Sequence, residues 1–221
     1  MKNYFAQRRH YHFAATGKRL PLLVCLILAL VALGGCRRSP EAKKAKFMES
    51  GKAFMQAKDY PRAILQFRNA AAFAGKDPEP YYEMALAFLA DGQLSNAGGA
   101  LQQALKLNPN YSPAKLKFAE LETLSPREKD QREAEKTLQG IVDASPNDTD
   151  ALSALAQAEI RLGDEEDALK NLAAALEKSP QNLKASVEMA GVKIKKNDLK
   201  GAEGVLQMAV QKAPKSADPL E

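Results

Sequence analysis

The chain has 221 residues with no tryptophan, two histidines and two cysteines, so it holds few of the side chains on which nucleophilic catalysis, metal binding and disulfide stapling depend. Its 32 basic residues exceed its 27 acidic ones, but the first 35 positions hold five basic residues and no acid, which leaves the remainder balanced in charge. That balance removes the electrostatic case for nucleic acid as a partner.

The first element reads as an export signal. Lys2, Arg8, Arg9, Lys18 and Arg19 precede an apolar run from Leu20 to Leu33, interrupted only by Pro21, and Leu33-Gly34-Gly35-Cys36 follows directly. A basic segment, an apolar segment and then small residues are signal-peptide architecture. The segment resembles bacterial lipoprotein signals, with Leu33, Gly34 and Gly35 as the lipobox and Cys36 as the lipidation site, which implies cleavage before Cys36 and attachment of diacylglycerol to its thiol. The competing reading is an uncleaved membrane anchor, whose apolar run of about 14 residues falls short of the roughly 20 needed to span a bilayer. Arg8-Arg9 lacks the consensus that follows a twin-arginine pair and stands far from the apolar run, so Sec export is expected. This parse gives a signal peptide over 1–35, a tether over 36–43 and an array over 44–214. His10, His12 and Cys25 leave with the signal, and the mature chain then has no histidine and no free thiol.

Within the array, small and bulky residues recur every 34 positions. Gly51, Phe54, Ala63, Phe67 and Ala70 are followed by Ala85, Phe88, Ala97, Leu101 and Ala104, with Pro109 closing the unit. The third frame, Ala119, Ala134, Leu138, Ile141 and Pro146, is longer by about three residues around Ser125, Pro126 and Arg127, which are expected in a turn between its helices. The fourth frame is Ala156, Ala168, Leu172, Ala175 and Pro180, and the fifth Ala190, Ala202, Leu206, Ala209 and Pro214. Small residues fit where helix backbones cross closely, bulky ones fill the space between helices, and each proline stops a helix. The spacing therefore predicts an all-α chain of stacked helix pairs.

The array resembles the tetratricopeptide repeat (TPR) family. That resemblance implies a right-handed α-solenoid of about five helix-turn-helix repeats, near 44–77, 78–111, 112–148, 149–182 and 183–216, with 217–221 entering a possible sixth. The aromatic usual at the first consensus position appears as Phe47 and Tyr81 and becomes Lys115, Leu152 and Ser186 later. The run Phe47 to Ala70 is similar to the first repeat of TPR lipoproteins from exopolysaccharide and exosortase-type (PEP-CTERM) loci.

Little chemistry survives this reading: no catalytic residue, metal ligand or cofactor is expected. Asp164, Glu165, Glu166 and Asp167 follow Gly163 at a helix start, where acids cap and favour the positive end of the dipole, and no EF-hand spacing surrounds them. Gly98, Gly99, Gly201 and Gly204 form no phosphate loop and are expected to allow close helix packing. What the TPR resemblance implies instead is a concave face lined by Met48, Lys52, Met55, Tyr82, Leu86, Leu89, Leu116, Glu120, Ser153, Gln157, Ile160, Val187 and Ile194, largely apolar with one tyrosine. An extended or helical protein segment suits such a lining. The family's carboxylate clamp is not reproduced, because Lys52, Leu86, Glu120, Gln157 and Gly191 stand where it places asparagine.

After Pro214 the sequence enters what resembles another first helix, so the face of the fifth unit carrying Val205, Leu206, Met208 and Val210 is expected to be partly uncovered. Two readings stand: further repeats belong there, or a partner or second copy does. The expected function is a non-enzymatic, lipid-anchored adaptor at the periplasmic side of the outer membrane, holding a protein partner in export or envelope assembly. Exopolysaccharide export follows from the narrower resemblance, with outer-membrane protein assembly, type IV pilus assembly and support of a carbohydrate polymer or its synthase as alternatives.

Overall fold

Ser39 starts the first helix of the computed structural model, which describes residues 39–212. Its hydroxyl accepts from the Ala42 N–H at 3.1 Å, and Pro40 takes a first-turn position where its missing donor costs nothing, so α1 spans Pro40–Gln56. The segment expected as tether thus contributes its last four residues, 40–43, to a helix. Cys36, the lipobox Leu33-Gly34-Gly35, the signal peptide, Pro214 and the entry to a sixth unit lie outside the described residues.

Among the described residues nine further helices follow: α2 Tyr60–Ala71, α3 Glu79–Ala90, α4 Leu94–Leu107, α5 Ser112–Glu122, α6 Glu128–Ala144, α7 Thr149–Leu162, α8 Glu165–Lys178, α9 Leu183–Lys195 and α10 Leu199–Lys212. Among the described residues there is no strand, and no helix is long and apolar enough to cross a membrane. Each helix packs against its sequence neighbours, and α7 also touches α5 and α9. Those odd-to-odd contacts put the first helices of the pairs on the tighter, inner side of an all-α solenoid.

The small residues of the 34-residue pattern sit where the backbones meet. Gly51, Ala63, Ala85, Ala97, Ala119, Ala134, Ala156, Ala168, Ala190 and Ala202 are all buried. The core runs in two stretches that meet at α5, one from Met48 to Ala114 and one from Ala119 to Val205. Of the glycines expected to permit close packing, only Gly98 adjoins a neighbouring helix, where an added β-carbon would stand 3.3 Å from Leu121. Gly99 and Gly204 face open space, and Gly201 lies against the Asp198 carboxylate that begins its own helix.

The turns within the pairs carry a second periodicity. Lys58, Gly92, Gly163 and Asn197 all have positive φ, at 56°, 75°, 89° and 61°. Each closes the first helix of its pair in the left-handed region, which glycine enters freely and a branched or long side chain enters at a cost of about 1 kcal/mol. Lys58→Gly is therefore expected to raise the urea midpoint by the equivalent of about 1 kcal/mol. An unchanged or lower midpoint would show that the turn is not strained.

The third pair is the irregular one. Its inserted residues do not only lengthen the turn, because α6 has 17 residues against 14 in α4 and α8 and gains an extra N-terminal turn beginning at Glu128. The Ser125 hydroxyl donates to Asp130 at 2.6 Å and Arg127 pairs with the same carboxylate at 2.7 Å, pinning the lengthened start. At α8 the acids Glu165, Glu166 and Asp167 occupy the first turn, but Asp164 makes no capping hydrogen bond with its side chain. Glu165 instead reaches Lys195 of α9 at 2.5 Å, so part of the acidic run ties two units together.

Candidate protein-binding face

The first helix of each pair presents one stripe of side chains to the inner face, and the residues expected there fall into three groups. Met48, 7 % exposed, and Ser153, 2 % exposed, are packed into the core and present almost no surface. Met55, Tyr82, Leu86, Leu89, Leu116, Glu120, Gln157 and Ile160 are half-buried. Lys52, Val187 and Ile194 are exposed. Met48 belongs to the core of the first two pairs, and the Ser153 hydroxyl donates back to the Thr149 carbonyl of its own helix at 2.7 Å.

The lining is more polar than the sequence pattern suggests. Lys52 on α1 donates to Glu79 at 3.2 Å and lies 3.5 Å from Glu83, both on α3. Tyr82 on α3 meets Tyr111, just ahead of α5, edge to face with ring centres 5.6 Å apart. Glu120 on α5 is paired with Lys117 at 2.7 Å. Gln157 on α7 donates to Glu188 on α9. All five odd-numbered helices thus contribute polar side chains to this face, bridged from α1 to α3 and from α7 to α9, with Leu86, Leu89, Leu116 and Ile160 as half-buried apolar surface on the same helices.

The electrostatics of this face are acidic. Burial, then Glu83, Glu120 and Asp150, raise the Tyr82 phenol above its ordinary range. Burial likewise raises the Glu188 carboxyl, opposed by Lys184 and by the Gln157 hydrogen bond and reinforced by Glu120. Glu188 Oε2 is buried with no hydrogen-bond partner among the described residues. Sequence reasoning missed Glu83, Glu188 and Tyr111. The two glutamates each follow an expected lining residue, Tyr82 and Val187, and Tyr111 sits in an inter-pair turn that helical periodicity does not reach.

A second surface lies at the C-terminal end. Ile194, expected in the groove, lines a recess of about 570 Å³ with Leu199, Ala202, Leu206 and Val210 of α9 and α10. Phe67, Leu101, Leu138 and Leu172 are 0 % exposed, whereas Leu206, the equivalent residue of the last pair, is 37 % exposed and Val210 73 %. The difference arises because each earlier second helix is covered by the following first helix. No group of three potential metal-ligating side chains occurs among the described residues.

Comparison with known proteins accords with this geometry. The family model described as the cytochrome c-type biogenesis protein H TPR domain matches residues 37–173. A second tetratricopeptide repeat model matches residues 159–219. No curated protein matches the chain. Among solved structures the chain is similar to TTC0263, a thermophilic TPR protein of Thermus thermophilus, at 18 % identity and a TM-score of 0.68 over 79 % of this chain and 94 % of that one. PilF of Pseudomonas aeruginosa is similar at 13 % identity and a TM-score of 0.66, over 80 % and 79 % of the two chains. YrrB, described as a TPR protein with an unusual peptide-binding site, is similar at 17 % identity and a TM-score of 0.54, over 77 % and 86 %. At these identities the structural likenesses show the fold.

Proposed function

The chain belongs to the tetratricopeptide repeat family of the cytochrome c-type biogenesis protein H TPR domain, and from that premise we propose that it is a non-enzymatic scaffold that holds a protein segment on its concave face. The observation that carries this reading is that every first helix, from Lys52 on α1 to Glu188 on α9, contributes a half-buried or exposed polar side chain to the inner face. Extended segments bind such surfaces through alternating apolar and polar contacts. The peptide-binding site attributed to YrrB supports the same use of the fold.

The scaffold is tethered through diacylglycerol on Cys36 and faces the periplasm, at the outer membrane because Arg37 follows the lipidated cysteine. Support comes from the basic, apolar and small-residue succession ahead of Cys36. The assembly it serves is export or biogenesis in the envelope. Exopolysaccharide export is favoured by the likeness of Phe47 to Ala70, and the match to a cytochrome c-type biogenesis TPR family favours an assembly role more generally. Direct binding of a carbohydrate polymer is the weaker reading, since a sugar site stacks on aromatic rings and the face offers Tyr82 and Tyr111 without a tryptophan.

The test is immunoprecipitation from crosslinked envelopes with wild type, Tyr82→Ala/Leu86→Ala and Cys36→Ala side by side. A protein retained by wild type and lost from the double variant is expected, and Cys36→Ala should move the scaffold from the membrane to the soluble fraction. Identical protein profiles for wild type and the double variant would remove the groove as the binding surface. Unchanged membrane association of Cys36→Ala would remove the lipid tether.

A further inference from the structure

We propose that the Tyr82–Tyr111 pair, with Glu83 and Glu120 beside it, forms a subsite for a basic side chain of the bound segment, an arginine by its shape; this rests on the reading of the concave face as the protein-binding surface. The two half-buried rings meet edge to face at 5.6 Å across the step from α3 to α5. Such a pair offers a ring face to a guanidinium and hydroxyl oxygens to its N–H groups.

The charge around the pair has one sign. Glu83, Glu120 and Asp150, from three successive first helices, all disfavour ionisation of the Tyr82 phenol, and Glu79, Glu83 and Asp77 act in the same way on Tyr111. Three lysines are paired with acids of this cluster: Lys44 with Asp77 at 2.6 Å, Lys52 with Glu79 and Glu83, and Lys117 with Glu120. The Lys52 pair with Glu79 is exposed and contributes little, whereas Lys44–Asp77 and Lys117–Glu120 are half-buried, so an incoming cation competes with Lys117 for Glu120. A guanidinium has an advantage over an ammonium here, because it can lie on a ring and grip a carboxylate with two parallel N–H groups at once. A segment ending in a free carboxylate would meet like charge instead.

The probe is a random decapeptide library displayed on cells and sorted against the full chain, with Glu83→Gln/Glu120→Gln and Leu86→Lys as comparison proteins. Peptides enriched on wild type should carry arginine, and its replacement by the isosteric, neutral citrulline should weaken binding at least tenfold on the unaltered protein. The glutamine variant should lose a similar factor for the arginine peptide, whereas Lys117→Ala, which frees Glu120, should bind it more tightly. Enriched peptides that are lost on Leu86→Lys but bind equally well with arginine or citrulline would overturn the basic subsite and leave the groove reading standing. No enrichment, or enrichment indifferent to Leu86→Lys and the glutamine variant alike, would overturn both.

Discussion

Gly51→Val is expected to destabilise the first helix pair by about 3 kcal/mol, the upper end of over-packing penalties. A β-carbon at position 51 would stand 2.7 Å from Cδ1 and 2.8 Å from Cζ of Phe67, and Phe67 is 0 % exposed, with no solvent to retreat into. Phe67→Ala should cost about 4 kcal/mol by the opposite route, leaving a cavity between α1 and α2. Because ring and absent side chain compete for one volume, the double variant should cost less than the two single costs added, by at least about 1 kcal/mol. Urea unfolding of the four proteins measures this, and hydrogen exchange in α1 and α2 localises it, since repeat arrays open unit by unit. Strictly additive costs would mean that Phe67 does not fill the space Gly51 leaves. The consequence reaches the binding face, because α1 carries Lys52 and loosening it releases the contacts with Glu79 and Glu83.

Glu159→Gln is expected to stabilise the chain at pH 8 by about 2 kcal/mol and to be nearly neutral at pH 5. Glu159 is 5 % exposed, and burial pushes its carboxyl up to about 7, against two hydrogen bonds from Asn171 Nδ2 at 2.9 Å and with reinforcement from Asp167, Glu135 and Asp164. A carboxyl that holds its proton more tightly folded than unfolded stabilises the fold below the unfolded value near 4.5, and that contribution is lost as pH rises through about 7. The full shift corresponds to about 3 kcal/mol, and the second acceptor that glutamine lacks offsets part of the gain. Thermal melts of both proteins from pH 5 to 8 test this. Parallel curves would show that Glu159 does not titrate in that window.

The helix pairs were legible because close backbone crossings demand small residues at fixed spacing, and Ala63, Ala97, Ala134, Ala168 and Ala202 mark them directly. The left-handed turns were equally periodic but harder to see, since Lys58 stands where Gly92 and Gly163 stand and no glycine signals it. Helical content in 40–43 was hidden by a reading that placed a tether there, although Ser39-Pro40-Glu41 is a strong helix start. The candidate face was partly legible. Lys52, Tyr82, Leu86 and Gln157 came from the TPR resemblance, whereas Glu83 and Glu188 belong to the face through side chains on the neighbouring first helices, Lys52 and Gln157. Register says which way a side chain leaves its own helix, and the charge it meets there depends on the helix beside it. The covered or uncovered state of Leu206 has the same origin, for it repeats a position that is buried in four earlier pairs only because another helix follows.

The central claim is that the inner face of the solenoid is where a protein partner sits. A photo-crosslinking amino acid introduced at Leu86 on α3, and separately at Gln102 on the outer helix α4, in cells carrying the full chain, tests it most directly. Adducts of one defined mass from position 86, absent from position 102, are the predicted result. Adducts from position 102 alone, or from neither position, would contradict it.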